Sequence, residues 1–216
     1  MTRTAVFDLD GTLVDSAPDL HAALDRLMAS LGTPPFTRQE VVGMIGDGVK
    51  VLVERALAAR GLAFDPAALE AFSADYTAHA AVETRLFPGI AKALTMLEAE
   101  GWRLAICTNK PAAATAALLE ALGLAGRFAA VGGGDSFPFR KPDPRHLLAT
   151  LRAAGGEPSR AVMIGDHRND VAAARGAGLP CLFAGWGYGP PVMAEGAAAI
   201  LAHPEDLPQT LDNLLP

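Results

Sequence analysis

Cysteine is nearly missing: Cys107 and Cys181 are the only two, both in apolar surroundings and neither in a Cys-x-x-Cys or Cys-His spacing. That excludes a disulfide scaffold, offers no thiolate zinc site, and suits a reducing cytoplasm. Both are expected as small buried hydrophobes. Basic charge is also short. Lys and Arg total 18 against 24 Asp and Glu, a formal charge of -6. A net acidic surface repels nucleic acid and anionic lipid, so neither is expected as a partner. No apolar stretch of about 18 residues escapes interruption by charge, Gly or Pro, so no spanning helix is expected and the protein should be soluble. The opening Met1-Thr2-Arg3-Thr4 passes straight into a short apolar run, without the regions of an export signal. There is no internal repeat, and the alanine-rich 112–117 stretch reads as strong helix former.

What the chain does contain is a series of short apolar runs of strand length, at 5–7, 104–107, 128–131, 161–164 and 181–184, each followed by polar or glycine-rich residues. Helical patterns separate most of them. Buried strands alternating with helices predict an α/β fold, a doubly wound, Rossmann-like parallel sheet covered on both faces, with ligands beyond the carboxyl ends of the strands. The stretch 16–83 breaks the alternation with several helix signals and no convincing strand, and reads as an inserted helical domain in a core of 1–15 and 84–216. Leu20, Ala23, Leu24, Leu27, Met28 and Leu31 fall at helical spacing, with Pro18 in the first turn and Gly32 at the C-terminal cap. Thr37 and Glu40 have capping-box spacing, Gly61 suits a helix end, and Asp65-Pro66 supplies an N-cap and first-turn proline.

Four polar clusters follow strand ends or precede helices. The first is Asp8-Leu9-Asp10-Gly11-Thr12, in which strand alternation points both carboxylates to one side and Leu9 to the core. Like charges so close need a cation, a proton or hydrogen bonds to offset their repulsion. Taken alone, the motif is equally a strand end with an Asp-Gly turn. The others are Thr108-Asn109-Lys110, Lys141-Pro142-Asp143-Pro144 and Gly165-Asp166-His167-Arg168-Asn169-Asp170. Singly, Thr108 and Asn109 read as a helix cap before Pro111, Lys141 as an exposed lysine, and Asp166 and Asp170 as acids at a helix start. All four should meet at one sheet edge.

Together and in this order, the four clusters resemble the motifs of the haloacid dehalogenase-like hydrolase superfamily, and the 16–83 insert is similar to the helical cap of its first subclass. The Gly133-Gly134-Asp135-Ser136 segment before Lys141-Pro142-Asp143-Pro144 looks like that of the phosphoglycolate phosphatases within it. The resemblance implies a phosphatase with Asp8 as nucleophile, forming an aspartyl phosphate, and Asp10 as general acid and base. It assigns Mg2+ to the Asp8 carboxylate, the Asp10 carbonyl and Asp166, with Asp170 supporting the metal shell or Lys141. It implies phosphate binding by Gly11, Thr12, Thr108, Asn109 and Lys141, with Thr108 and Lys141 also stabilising the transition state.

The leaving group should be recognised by the insert. Gly46-Asp47-Gly48 is the best loop for it, since glycine permits backbone approach and amides at the next helix start can receive a carboxylate, with Lys50 adding charge. A simple helix-helix turn with a solvated Lys50 is the plainer reading. The expected partner is a small phosphorylated metabolite, 2-phosphoglycolate first, and the chain is a monomer by default, with a dimer possible. A sugar phosphomutase of the same fold and a non-catalytic phosphometabolite sensor are the rivals; a dehalogenase would leave Asp10 without a task. His21, His79, His146 and His203 read as helix-face residues, His167 as a solvent-facing loop side chain, and Trp186 and Tyr188 as loop packing.

Overall fold

Period-two burial organises the core. In chain order, β1 (Thr4–Phe7) and β2 (Val14–Asp15) lead into helices α1 (Ala17–Ser30), α2 (Arg38–Val42), α3 (Val49–Ala59) and α4 (Pro66–His79). Then come β3 (Arg85–Leu86), α5 (Ile90–Ala99), β4 (Arg103–Cys107), α6 (Ala112–Ala121), β5 (Ala130–Gly132), α7 (Pro144–Ala153), β6 (Ala161–Gly165), α8 (Arg168–Ala177), β7 (Cys181–Ala184), β8 (Ala199–Leu201) and α9 (Leu207–Leu214). The computed structural model describes residues 2–215. Six strands form one parallel sheet in the order β5-β4-β1-β6-β7-β8.

Alternate residues of the inner strands enter different apolar clusters. Ala5, Phe7, Leu104, Ile106, Val162, Ile164 and Leu182 pack with α5, α6 and α9 on one face. Val6, Ala105, Cys107, Ala161, Met163, Cys181 and Phe183 pack with α7 and α8 on the other. This two-faced burial is what a doubly wound parallel sheet requires. Both cysteines are buried and free, as expected. The chain leaves β1 toward β4 and β5, then returns past β1 to β6, so the sheet's switch point lies at the carboxyl end of β1.

Helices α1 to α4 gather around an apolar cluster of their own, including Leu24, Met28, Leu57, Phe72 and Tyr76, and reach the core helix α6 through Ala114. The Thr37–Glu40 capping box and the Asp65 N-cap form as their spacing predicts. Leu31, expected on the buried face of α1, is exposed, because α1 ends at Ser30 and Leu31 is already its C-cap. The strand expected at 128–131 is displaced to Ala130–Gly132. As the sheet's edge it pairs only with β4, and Phe128 packs on the core before pairing begins.

Three strands are absent from the sequence reading, β2, β3 and β8, each too short to show a period. β2 and β3 pair antiparallel where the chain enters and leaves the four helices. Buried Asp19, in the first turn of α1, clasps the same place. Its carboxylate accepts the Glu83 N–H at 2.9 Å, the Thr84 N–H at 2.9 Å and the Thr84 hydroxyl at 2.7 Å. Asp19→Ala would orphan these donors, at about 1–3 kcal/mol for a buried one. The expected result is a urea midpoint lowered by that order of free energy; an unchanged midpoint would show that the clasp adds nothing.

Candidate active site

The acids converge because adjacent strands end at the same level. Asp8 follows β1, and its N–H still donates to Ile164 O of β6 at 2.8 Å. Asp166 follows β6, and Asp170 lies in the first turn of α8. One carboxylate oxygen each from Asp8, Asp166 and Asp170 lies within 4.8 Å of the others, and all three residues are buried. Lys141, just before α7, places Nζ 2.9 Å from Asp8 Oδ1 and 2.6 Å from Asp170 Oδ1. Burial opposes the lysine's charge, but attraction to Asp170 and Asp8 overcomes it, so its pKa is raised and it stays an ammonium.

One ammonium does not neutralise three carboxylates. Burial, followed by repulsion from Asp8 and Asp170, pushes Asp166 up to about 8. An all-oxygen cluster with excess negative charge suits a hard divalent cation such as Mg2+, which would favour the ionised form of Asp166.

Gly11 turns the chain with φ of 83°, and a Cβ there would collide with Asp166. The expectation that Gly11 and Thr12 bind phosphate is corrected. The Gly11 N–H donates to Val14 O at 2.9 Å, and the fully buried Thr12 hydroxyl donates to Asp166 Oδ1 at 3.0 Å. The tight turn points both groups inward, where they hold the loop and the acid. The second oxygen of Asp166 accepts the Tyr188 N–H at 2.8 Å. Tyr188 and Trp186 are structural, as expected: Tyr188 Oη donates to Asp15 at 2.8 Å and accepts the Ala17 N–H, while Trp186 Nε1–H donates to Thr12 O. Gly187 and Gly189 allow this loop to lie against Asp166, since a Cβ at either would collide with it.

The end of β4 supplies the next wall. Thr108 is buried, and Asn109 Nδ2 donates to Lys141 O at 3.0 Å and to Gly46 O at 3.1 Å. Neither caps α6. Asp135 does so from the neighbouring loop, accepting the Ala112 N–H at 2.7 Å, and Gly134 packs where a Cβ would collide with Asn109 O. Asp8, Asp10, Gly46, Gly48, Thr108 and Asn109 line one cavity between the sheet edge and the four helices.

Lys50 does not join them. It is exposed and faces Glu54 at 3.7 Å, because in α3 it is Val49 and Leu52 that turn to the cavity. The cavity's ammonium belongs instead to Lys110, given no role by the sequence reading, with Nζ 3.1 Å from Asp10 Oδ1 and a hydrogen bond to the Tyr76 hydroxyl. A lysine three residues beyond a buried parallel strand was the available signal; Tyr76, 34 residues away, carried none.

His167 is also corrected. It is buried, and its Nδ1 accepts the Asn169 N–H at 3.3 Å, while Asp170 accepts the His167 N–H at 3.0 Å. This reciprocal cap turns the ring inward against Gly46, where a Cβ would meet it. His146 is not on an open helix face either: fully buried, it accepts the Lys141 N–H at 3.2 Å, and burial, then the Lys141 charge, lowers it to about 4. Asn169 donates to Asp47 Oδ1 at 2.8 Å, a further bond between core and insert.

A doubly wound parallel sheet bearing a lysine-clamped acidic cluster at its switch point defines a Rossmann-like α/β protein with a candidate cation-dependent active site. The chain belongs to the haloacid dehalogenase-like hydrolases, whose family model matches residues 2–178. It is 46% identical over 215 residues to a phosphoglycolate phosphatase of Cereibacter sphaeroides, covering 97% of this chain and 98% of that one. It resembles the crystal structure of a predicted phosphoglycolate phosphatase from Haemophilus somnus 129pt, with a TM-score of 0.88 at 28% identity over 97% of each chain. It also resembles a CbbY mutant from Rhodobacter sphaeroides in complex with xylulose-(1,5)bisphosphate, with a TM-score of 0.81 at 27% identity over 96% of each chain. The protein is accordingly a phosphoric monoester hydrolase. No helix among the described residues is long and apolar enough to cross a membrane.

The acidic cluster sets a pH dependence. Folded, metal-free protein keeps a proton on Asp166 up to about 8, whereas the unfolded chain loses it near the ordinary carboxylate value. A raised folded pKa contributes stability that is lost as pH rises through it. Chelator-treated protein should therefore show a urea midpoint that falls from about pH 4 to 8 and levels off above it, and excess Mg2+ should flatten the fall. A midpoint that rises over this range would contradict the burial of a protonated Asp166.

Proposed function

We propose that the protein hydrolyses a small phosphate monoester, 2-phosphoglycolate first among them, with Asp8 as nucleophile. The observation that carries this reading is the position of Asp8, held by Lys141 at the edge of the acidic cluster and lining the same cavity as Asp10. The relative from Cereibacter sphaeroides supports the choice of ester.

An Asp8 carboxylate oxygen attacks phosphorus as the ester P–O bond breaks, and Asp10 gives its proton to the departing alkoxide. Asp10 then takes a proton from the water that attacks phosphorus of the aspartyl phosphate, which releases phosphate and restores Asp8. Lys141 and Thr108, with the Asn109 amide, stabilise the phosphoryl oxygens where charge builds up. The Asp8 carboxylate, the Asp10 carbonyl and Asp166 would hold Mg2+, which when bound supplies the positive charge that lets a carboxylate approach a phosphate dianion. Asp170 keeps Lys141 in place at 2.6 Å. Residues 16–83 act as a cap over this site, its Gly46-Asp47-Gly48 loop facing the leaving group, and the β2–β3 connections are where it hinges.

Asp8→Asn should lower Mg2+-dependent phosphate release from 2-phosphoglycolate by about 10,000-fold or more. Asp10→Asn should lower it by about 100- to 10,000-fold. Near-normal turnover by the Asp8 variant, with its mass confirmed, would remove Asp8 as nucleophile. Conversion of a hexose phosphate to its isomer, with no phosphate released, would replace hydrolysis by phosphoryl return.

A further inference from the structure

The cavity beside Asp8 holds a charge that hydrolysis of a phosphate ester does not by itself require. Its walls from the insert include Leu20, Ile45, Val49 and Leu52, all apolar. Into this surface projects the Lys110 ammonium, on a side chain only 1% exposed. Burying an ammonium costs several kcal/mol unless anions and hydrogen bonds offset it. Lys110 has one anionic partner, Asp10, at 3.1 and 3.4 Å, and one neutral partner, the Tyr76 hydroxyl, with the Tyr76 ring 4.3 Å below. Attraction to Asp10 and Tyr76 overcomes the burial penalty and keeps Lys110 charged.

This arrangement is incomplete in two respects. The Lys110 N–H donors face both Asp10 oxygens and the Tyr76 hydroxyl, so this buried ammonium has a single carboxylate to offset its charge. Tyr76 accepts from Lys110, so its own O–H is available to donate into the cavity. A second anion, arriving with the substrate, would meet both.

We propose that Lys110 and Tyr76 form a carboxylate receptor that selects esters whose alcohol carries a carboxylate one or two carbons from the ester oxygen. The inference rests on the hydrolase reading above and names the substrate class of that same site. Distance sets the chain length: Asp10 has to reach the ester oxygen, and Lys110 lies 3.1 Å from Asp10, so an anion bound to both donors cannot be far from the ester. The two donors match the two oxygens of one carboxylate. The apolar wall adds the opposite selection, because Leu20, Ile45, Val49 and Leu52 offer no partner to the hydroxyls of a sugar phosphate. The insert thus contributes Tyr76 from α4, while the cation comes from the core.

The test compares kcat/KM for 2-phosphoglycolate with that for ethyl phosphate, which lacks only the carboxylate, using full-length protein with Mg2+. Wild type should prefer 2-phosphoglycolate by about 100-fold or more, as expected of a site built around a charged hydrogen bond. Lys110→Met should collapse that ratio, Lys110→Arg should restore part of it, and Tyr76→Phe should reduce it by about 10-fold. A proportional fall for both esters in Lys110→Met would mean that Lys110 acts only through Asp10, and would overturn the receptor while leaving the phosphatase intact. If Lys110→Met does not fold, an unchanged ratio in Tyr76→Phe overturns it equally. Wild type that hydrolyses neither ester would instead defeat the hydrolase reading, and the receptor with it.

Discussion

Packing Asp8 against Asp170 and Asp166 beneath the sheet edge depends on the ammonium of Lys141, which lies within ion-pair distance of the first two. Carboxylates this close and this buried repel one another strongly, and breaking a buried pair by removing one partner typically costs about 3–5 kcal/mol. The surroundings are accordingly arranged to fix the lysine. Asp170 holds its head, His146 accepts its backbone N–H, and Asn109 donates to its carbonyl. His146, which burial and the Lys141 charge keep neutral, can serve as that acceptor without adding a second cation. The remaining negative charge, which with burial raises Asp166, suits the cluster to a hard cation.

Close approach is the second constraint. The loops around the acids touch through positions without side chains: Gly11 under Asp166, Gly187 and Gly189 above it, Gly134 against Asn109, and Gly46 against His167. Larger residues at these points would open the loops and separate the charges that Lys141 joins. The same economy of space lets the insert reach the core. Asn109 and Asn169 both donate to Gly46 O, Asn169 also to Asp47, and Lys110 to Tyr76, so four bonds connect the helical insert to the site while Asp19 and the β2–β3 pair secure its base.

Much of this was legible in the sequence because it is local. Alternation within 5–7, 104–107 and 161–164 reflects burial on two faces, and a run of apolar residues ending in acids reveals where a strand meets solvent. Thr37–Glu40 and Asp65 are caps that satisfy helix ends within three residues. The strands β2, β3 and β8 escaped because two or three residues carry no measurable period. Lys50 and Lys110 illustrate the harder limit. Both are lysines near glycine or polar turns, yet one is solvated beside Glu54 and the other is enclosed by Asp10 and Tyr76.

The sequence by itself determined which chemical groups exist and their order along the chain: two aspartates after the first strand, a threonine and asparagine after β4, a lysine before α7, and two more aspartates around the start of α8. The tertiary structure decided what each group faces. Thr12 turned to Asp166, His167 turned inward to cap α8 against Gly46, and the cation beside Asp10 came from Lys110 in the core, not from Lys50 in the insert. The reason is physical: hydrogen bonds and charges pair by distance through space, and partners 34 to 154 residues apart leave no periodic trace in the chain that brings them together.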